Sequence, residues 1–421
     1  MYHKTILKNG LRVIVVPKKE SFSVNLLVLV GVGSNSETKE LNGISHFIEH
    51  MSFKGTKKRP KAMNFSSELD SLGAEYNAFT SREYTGYYVS CLLSKMDQAL
   101  DILSDMYLNP VFDISEIEKE KGVIYEEINR SFDMPAHRVQ DVFSELMYGD
   151  SAYGRSTLGT KNSLKKINRP DFLNYQKRFY HPSNTVVVVA GDVDKINVVK
   201  KVEEFFSLAV VGNVKVSSKL KEIQTSPKLH LEYRKGGQSN IVLGFRTFGS
   251  SHKDYYIAEV LARILGGTMS SRLFQKIREE MGAAYSIGAY QTSFANYGYL
   301  AIVGGVQNKK LKEVIKEILV EINILKTELV GEEELSRVKD SLIGSIYLNL
   351  ETPSDLAGFY GGQEIMREDI ISPEELGKKI REITAKDIRR LARKIFVAGK
   401  MNLAILGPYK NSQEFVDILT L

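Results

Sequence analysis

Cysteine is nearly absent: Cys91 is the only one in 421 residues. A lone thiol excludes an internal disulfide framework and fits a reducing compartment, so a cytoplasmic location is expected. Long apolar runs are missing as well. A membrane-crossing helix needs ~20 consecutive apolar residues; Ser23 to Val32 is about half that and reads as a strand. Segments of low complexity are absent. The start, Met1-Tyr2-His3-Lys4-Thr5, enters a strand pattern almost at once, so no signal or transit segment is expected. Blocks of one charge are scarce too. The formal net charge is +6, and the basic residues are mixed with acids instead of gathering into the stripe that nucleic-acid binding calls for. Neither a nucleic acid nor a membrane is expected as a partner.

What is present is the composition of a globular protein, 43% hydrophobic and 26% charged, with enough length for two domains that each hold a core. Cys91 lies in the apolar run Tyr87 to Leu93, a strand pattern that implies a buried structural thiol. The most informative stretch is His46-Phe47-Ile48-Glu49-His50. On a helix, His46 and His50 are four residues apart and project from one face. Two imidazoles so spaced can grip one zinc ion. Glu49, beside the second histidine, cannot easily reach the same ion from the same turn; it is placed to take a proton from a water bound there. The flanks support a helix, with Asn42 as the expected N-cap, Ile44, Phe47, Ile48 and Met51 as an apolar face, and Gly55 ending the segment.

A catalytic zinc takes three protein ligands and keeps one position open. Cys91 is not a candidate. The segment Ile114 to Ser131 (ISEIEKEKGVIYEEINRS) reads as a helix whose apolar stripe is Ile117, Val123, Ile124 and Ile128. Glu127 and Glu120 fall inside that stripe, and Glu126 points roughly 100° away at its margin. A carboxylate on a buried face is costly unless paired or bound to metal. Glu127 is therefore the expected third ligand, with a buried Arg or Lys partner as the competing explanation and Glu126 as the rival position. Glu120 is expected to orient or polarise the site. The other histidines, His3, His137, His181, His230 and His252, are scattered and read as structural or exposed. Exposed Lys and Glu along Lys309–Lys326 read as a solvated helix face.

The order H-x-x-E-H followed by Glu127, 77 residues after His50, resembles the zinc site of the pitrilysin family of inverzincins, which includes insulin-degrading enzyme and the mitochondrial processing peptidases. The family also carries a glutamate seven residues before the third ligand, matching Glu120 to Glu127. Asn77-Ala78-Phe79-Thr80, followed by Glu83 and Thr85, resembles the family's substrate-binding strand. Gly154-Arg155-Ser156-Thr157-Leu158-Gly159 and Tyr180-His181-Pro182-Ser183-Asn184, the latter leading into Val186–Val189 and Gly191, resemble further signatures. The resemblance extends over nearly the whole chain. It implies that His46, His50 and Glu127 bind one Zn2+ per chain, that Glu49 is the general base, and that Asn77, Ala78, Phe79 and Thr80 hold substrate.

The chain also shows a degenerate internal repeat. Asn184-Thr-Val-Val-Val-Val-Ala-Gly resembles Asn402-Leu-Ala-Ile-Leu-Gly, and Glu116-Ile117 aligns with Glu334-Leu335 at an offset of 218. At that offset Glu127 falls on Ser345, Glu120 on Val338 and Ile128 on Ile346: the apolar skeleton is kept and both carboxylates are gone. Glu259 to Gly266 lies roughly where the histidine helix should recur, without a histidine pair. The expected fold is α+β, two homologous domains, each a mainly antiparallel sheet with helices packed on one face. The expected strands of the first half are about Thr5–Leu7, Leu11–Pro17, Ser23–Val32, Tyr76–Phe79 and Thr85–Leu92; its later helices are Lys95–Leu108, Ile114–Ser131 and Ala136–Tyr148. Residues 1–212 are expected to form the catalytic zinc domain and 229–421 its homologue without zinc ligands. The polar stretch Gly212 to Lys228 between them (linker 213–228) reads as a connection.

The stretch Gly266-Gly267-Thr268-Met269-Ser270-Ser271-Arg272-Leu273, leading into Lys276-Ile277-Arg278-Glu279 and Tyr285, is similar to a family element in which an Arg and a Tyr seven residues apart reach the active site. Here that pair is Arg278 and Tyr285. The few glycines depart from the long glycine-rich loop of the non-catalytic processing-peptidase subunit. In large single-chain relatives four such domains enclose a chamber, which implies that this two-domain chain works as a homodimer, or as a heterodimer with a related subunit. The expected function is a zinc metalloendopeptidase acting on peptides or unfolded polypeptide. The alternatives are a non-catalytic structural or assembly subunit of the same fold, and a metal-binding regulator without peptidase activity.

Overall fold

A computed structural model describes residues 2–207, 209, 212, 220, 224–367 and 369–420. Strands β1 (His3–Ile6), β2 (Arg12–Pro17), β3 (Ser23–Val30), β4 (Glu75–Thr80), β5 (Thr85–Leu92) and β6 (Thr185–Gly191) form one sheet in the order β1-β2-β6-β3-β5-β4. Strands β7 (Lys228–Tyr233), β8 (Gln238–Thr247), β9 (Ala284–Ser293), β10 (Gly298–Gln307) and β11 (Met401–Gly407) form a second, in the order β7-β11-β8-β10-β9. Apart from the extra β1 the two orders are the same. In each, one pairing is parallel (β2 with β6, β7 with β11) and the rest are antiparallel. The expected α+β class with two homologous halves is what the chain adopts.

The repeat is kept element by element. Helices Ile114–Asp133 and Pro135–Tyr148 recur as Glu332–Leu348 and Pro353–Met366, so that both pairs begin 218 residues apart. By compactness the chain divides into Met1–Asn129, Ser151–Ser218 and Leu348–Ile370 as one unit, and Arg130–Asp150, Lys219–Tyr347 and Ile371–Leu421 as the other. Each unit thus takes one helix from the opposite half of the sequence: Pro353–Met366 belongs to the first unit and Pro135–Tyr148 to the second. The continuous division 1–212 and 229–421 is proposed as the extent of the two repeats; most of the expected linker lies outside the described residues.

The borrowed helices qualify the expectation that helices cover one face only. Strands β2, β3 and β6 are buried almost throughout, β6 at every position. A strand buried on both sides reads as a continuous apolar run and needs cover on both. Val13, Val15, Leu26, Val28, Val187 and Val189 face the core built with the helices of the first half. Ile14, Val16, Leu27, Leu29, Val186 and Val188 face the opposite way, against Ala357 and Tyr360 of helix Pro353–Met366. In the second unit, the Cα of Gly244 faces Phe143 of the borrowed helix, while the adjacent Phe245 packs against Phe396 at 5.0 Å.

Candidate metal centre

The histidine helix runs from Ile44 to Met51. Its N-cap is Gly43, not Asn42, and Gly43 sits in the left-handed region with φ 96°. A side chain there would strike the backbone of Leu158 and Gly159, about 2.8 Å away. The Asn42 side chain instead donates to the Glu37 carboxylate (3.0 Å) and to the Ser156 carbonyl (3.0 Å). Ile44, Phe47, Ile48 and Met51 are fully buried, as their spacing requires, and this turns His46, Glu49 and His50 to the other side. The helix ends at Met51 with Ser52 as C-cap, three residues before Gly55.

The long helix Ile114–Asp133 brings Glu127 to the two histidines. Its buried positions are Ile117, Glu120, Lys121 and Ile124. Val123, expected on the apolar stripe, is 47% exposed, so the stripe lies nearer the Glu120 edge than the angular reading placed it. Glu126 points outward and accepts a hydrogen bond from Asn129 at 3.4 Å. Glu127 turns inward: its Oε2 is 3.6 Å from His46 Nε2 and 3.7 Å from His50 Nε2, and the two Nε2 atoms are 3.3 Å apart. Among the described residues this is the one group of three or more His, Cys, Asp or Glu side chains whose ligand atoms converge closely enough to hold a metal.

The triangle fits a tetrahedral ion. Nitrogens bound 2.0–2.1 Å from zinc in tetrahedral geometry stand roughly 3.3–3.4 Å apart, and the observed edges are close to that. The chemistry of the three atoms points the same way. His50 donates its Nδ1–H to Glu120 Oε1 at 2.9 Å, which leaves a lone pair on Nε2. Burial, with the neighbouring His50, pushes the His46 pKa down to about 3, so His46 is neutral at ordinary pH. Glu127 Oε2 is buried with no hydrogen-bond donor. With His50 in that tautomer, three electron-rich atoms face one another, an arrangement that a cation relieves.

The surroundings tune these groups. Glu120 is 5% exposed; it takes His50 on one oxygen and the Lys54 ammonium on the other at 2.6 Å. Burial works to raise its pKa, but these two partners outweigh it and hold the carboxyl below its usual range. Burial works to lower the His50 pKa, and the carboxylates of Glu120, Glu127 and Glu49 reverse it to a net rise. Glu49 is pushed up chiefly by burial, against the Thr80 hydroxyl, which donates to its Oε2 at 2.6 Å. Thr80, expected among the substrate contacts, thus reaches the carboxylate expected to act as base; a short polar side chain two positions from the buried Ala78 was the available sequence signal.

Among the described residues, strand β4 ends its sheet and pairs only with β5. The Ser81 N–H closes the hairpin to the Tyr84 carbonyl. Alternation along an antiparallel ladder then turns the N–H and C=O groups of Tyr76, Ala78 and Thr80 away from β5, toward the open edge. Asn77 Oδ1 accepts the Ala78 N–H at 2.9 Å, and Phe79, 37% exposed, lies over Gly86. In the second unit, Arg278 and Tyr285 come together: the guanidinium centre is 5.5 Å from the ring, and Tyr285 is 83% exposed. Near the repeat position of Glu127 the second unit places an arginine. Arg263, on helix Tyr255–Gly266, donates to the hydroxyls of Ser341 and Ser345 at 2.9 Å each. Ser345 lies at the repeat position of Glu127, so a tethered guanidinium stands beside the position that carries a carboxylate in the first half.

Comparison with known proteins agrees with this geometry. Residues 12–161 match the family described as Insulinase (Peptidase family M16), and residues 166–342 match the description Peptidase M16 inactive domain. The chain is 34% identical over 415 residues to an uncharacterized zinc protease of Bacillus subtilis, YmxG, covering 98% of this chain and 99% of that one. It is 36% identical over 405 residues to an uncharacterized zinc protease of Rickettsia felis, covering 96% of each. The crystal structure of a protease from Helicobacter pylori has the same fold, with a TM-score of 0.91 at 23% identity, covering 97% of this chain and 99% of that one. No described helix is long and apolar enough to cross a membrane. The chain belongs to peptidase family M16, the insulinase family.

Proposed function

We propose that the protein is a zinc-dependent metalloendopeptidase that cleaves peptides or unfolded polypeptide segments, with one zinc per chain held by His46, His50 and Glu127. The observation that carries this reading is the triangle of three lone-pair atoms with edges of 3.3, 3.6 and 3.7 Å. Bound there, zinc supplies a Lewis acid that acidifies a water and polarises a carbonyl. Glu49 would accept a proton from the water whose oxygen adds to the scissile carbonyl, and return it to the amine as the C–N bond breaks. Thr80 fixes one Glu49 oxygen by hydrogen bonding and leaves the other to accept. Glu120 and Lys54 hold the His50 ring in its tautomer and orientation.

A peptide adds along the open edge of β4, where Tyr76, Ala78 and Thr80 offer main-chain groups and Asn77 yields the Ala78 N–H to the incoming carbonyl. Recognition is then largely main-chain, and substrate flexibility matters more than one side-chain pocket. Arg278 steadies a substrate carbonyl or carboxylate and the Tyr285 hydroxyl donates to the developing oxyanion. Two copies of the chain enclose the chamber, each second domain completing the other subunit's site, in the reducing cytoplasm that a single buried Cys91 suits. The retention of all three ligands and of Glu49 weighs against a purely structural subunit.

The test is hydrolysis of a quenched, unstructured peptide. Turnover is expected to vanish with a zinc chelator and return on adding one equivalent of zinc; turnover that survives exhaustive chelation defeats the assignment. Sedimentation is expected to give a dimer, and a fully active monomer at the assay concentration would remove the shared-chamber element.

A further inference from the structure

The histidine helix has no capping side chain at its own N-cap, because Gly43 is packed too closely against Leu158 and Gly159 to carry one. Four N–H groups at the start of any helix need partners from elsewhere. The Ile44 N–H goes to the Leu41 carbonyl at 3.0 Å, and two of the others go to Glu37, which precedes the helix by seven residues. Its Oε2 accepts the Gly43 N–H at 2.7 Å and its Oε1 accepts the Ser45 N–H at 2.9 Å. The Asn42 side chain supplies a third donor at 3.0 Å. Glu37 is 5% exposed, and no cation faces its carboxylate within ion-pair distance among the described residues. Its main-chain carbonyl accepts from Arg155 at 3.0 Å, which ties the same residue to the loop Gly154–Gly159.

A buried carboxylate costs several kcal/mol unless something specific compensates it. Backbone N–H groups and the positive end of the helix do so here, and the interaction is charge-assisted. Two oxygens held by two separate amides fix the start of the helix in rotation as well as in position. Rotation matters because the helix is only eight residues long, and His46 lies one residue after the Ser45 amide. From Ser45 the restraint spreads further. Its hydroxyl bonds to the buried Tyr175 hydroxyl at 2.8 Å.

We infer that Glu37 is a positioning residue for the metal centre: its buried carboxylate sets the rotation of the histidine helix, and so the direction in which His46, Glu49 and His50 meet Glu127. The inference rests on the reading of His46, His50 and Glu127 as ligands, but its test is metal binding, so it stands or falls independently of peptidase activity. Two variants separate charge from reach. Glu37→Gln keeps the length and sets an amide –NH2 against one backbone N–H. Glu37→Asp keeps the charge and is one methylene too short to span both amides.

The experiment is competition for zinc against a chromophoric chelator on the full-length protein, with the visible absorption spectrum of the cobalt-loaded form as a report on ligand geometry. Both variants are expected to bind zinc at least tenfold more weakly than the parent and to show a changed cobalt spectrum, while their circular dichroism stays that of the parent. Where turnover is measured, kcat falls and KM holds. Variants that melt at lower temperature but keep zinc affinity within twofold, with an unchanged cobalt spectrum, overturn the inference and make Glu37 a stability residue only. A parent that binds no zinc at all overturns the ligand reading itself. If Glu37→Gln does not fold, Glu37→Asp alone decides between these outcomes.

Discussion

Glu49→Gln is expected to lower kcat by about 10³-fold or more while the protein still binds one zinc. General acid–base catalysis contributes roughly 10²–10⁴, and Glu49 serves both the acid and the base step in the proposed reaction. The substitution is nearly isosteric, and the Thr80 hydroxyl can still donate to the amide oxygen. Glu49 is not one of the three atoms of the metal triangle, so metal content should hold within error. Steady-state turnover on the quenched peptide, with zinc measured on the same preparation, checks this. A variant that keeps zinc and retains a tenth of the parent's kcat removes Glu49 from the role of base. A variant that loses zinc makes Glu49 part of the ligand environment.

Much of this centre is legible in the sequence, and the physical reason is local. Two imidazoles four residues apart on a helix must share a face, so His46 and His50 are paired by geometry alone. Glu127 and Glu120 stand out because a carboxylate in an apolar stripe demands an explanation. The repeat is legible in the same way, since the 218-residue offset carries apolar positions forward even where the chemistry is lost.

What escapes the sequence is set by distant parts of the chain. Asn42 has the right chemistry for an N-cap, but the close approach of Leu158 and Gly159 fixes Gly43 in that place and hands the amides to Glu37. Nothing local marks Glu37 as a cap. Val123 satisfies the helical period and is still exposed, because the long helix is rotated to bring Glu120 under His50. The exchange of helices between units is also non-local, although a trace of it was present. Val186 to Ala190 is apolar at every position, not at alternate ones, and a strand of that kind needs a second cover. That cover is the helix Pro353–Met366, distant in sequence. The same holds for Arg263: an ordinary helix arginine in sequence, it is found at the repeat position of Glu127 only when Ser341 and Ser345 are seen beside it.

Glu127→Ala should abolish stoichiometric zinc binding at micromolar metal, and Glu126→Ala should leave it within about twofold. Zinc sites with four protein ligands bind with roughly 10–16 kcal/mol, or about 2.5–4 kcal/mol for each ligand. Each 1.4 kcal/mol is tenfold in affinity, so losing one of three ligands weakens zinc by at least about 10²-fold. The alanine also removes the only carboxylate in the triangle, leaving two imidazoles 3.3 Å apart. Glu120→Gln should fall between the two glutamates. It still accepts from His50 but loses its charge, and groups that hold a metal ligand in place are worth roughly 10–100-fold in affinity. The order expected from chelator competition is therefore Glu126→Ala, then Glu120→Gln, then Glu127→Ala, from near-parental to weakest. If Glu126→Ala instead abolished binding and Glu127→Ala spared it, the long helix would have to sit turned by about 100° in the metal-loaded protein. Glu120 would then swing away from His50, so the Glu120→Gln result would change with it. The three variants together thus fix the rotation of that helix in solution, on evidence that needs no turnover.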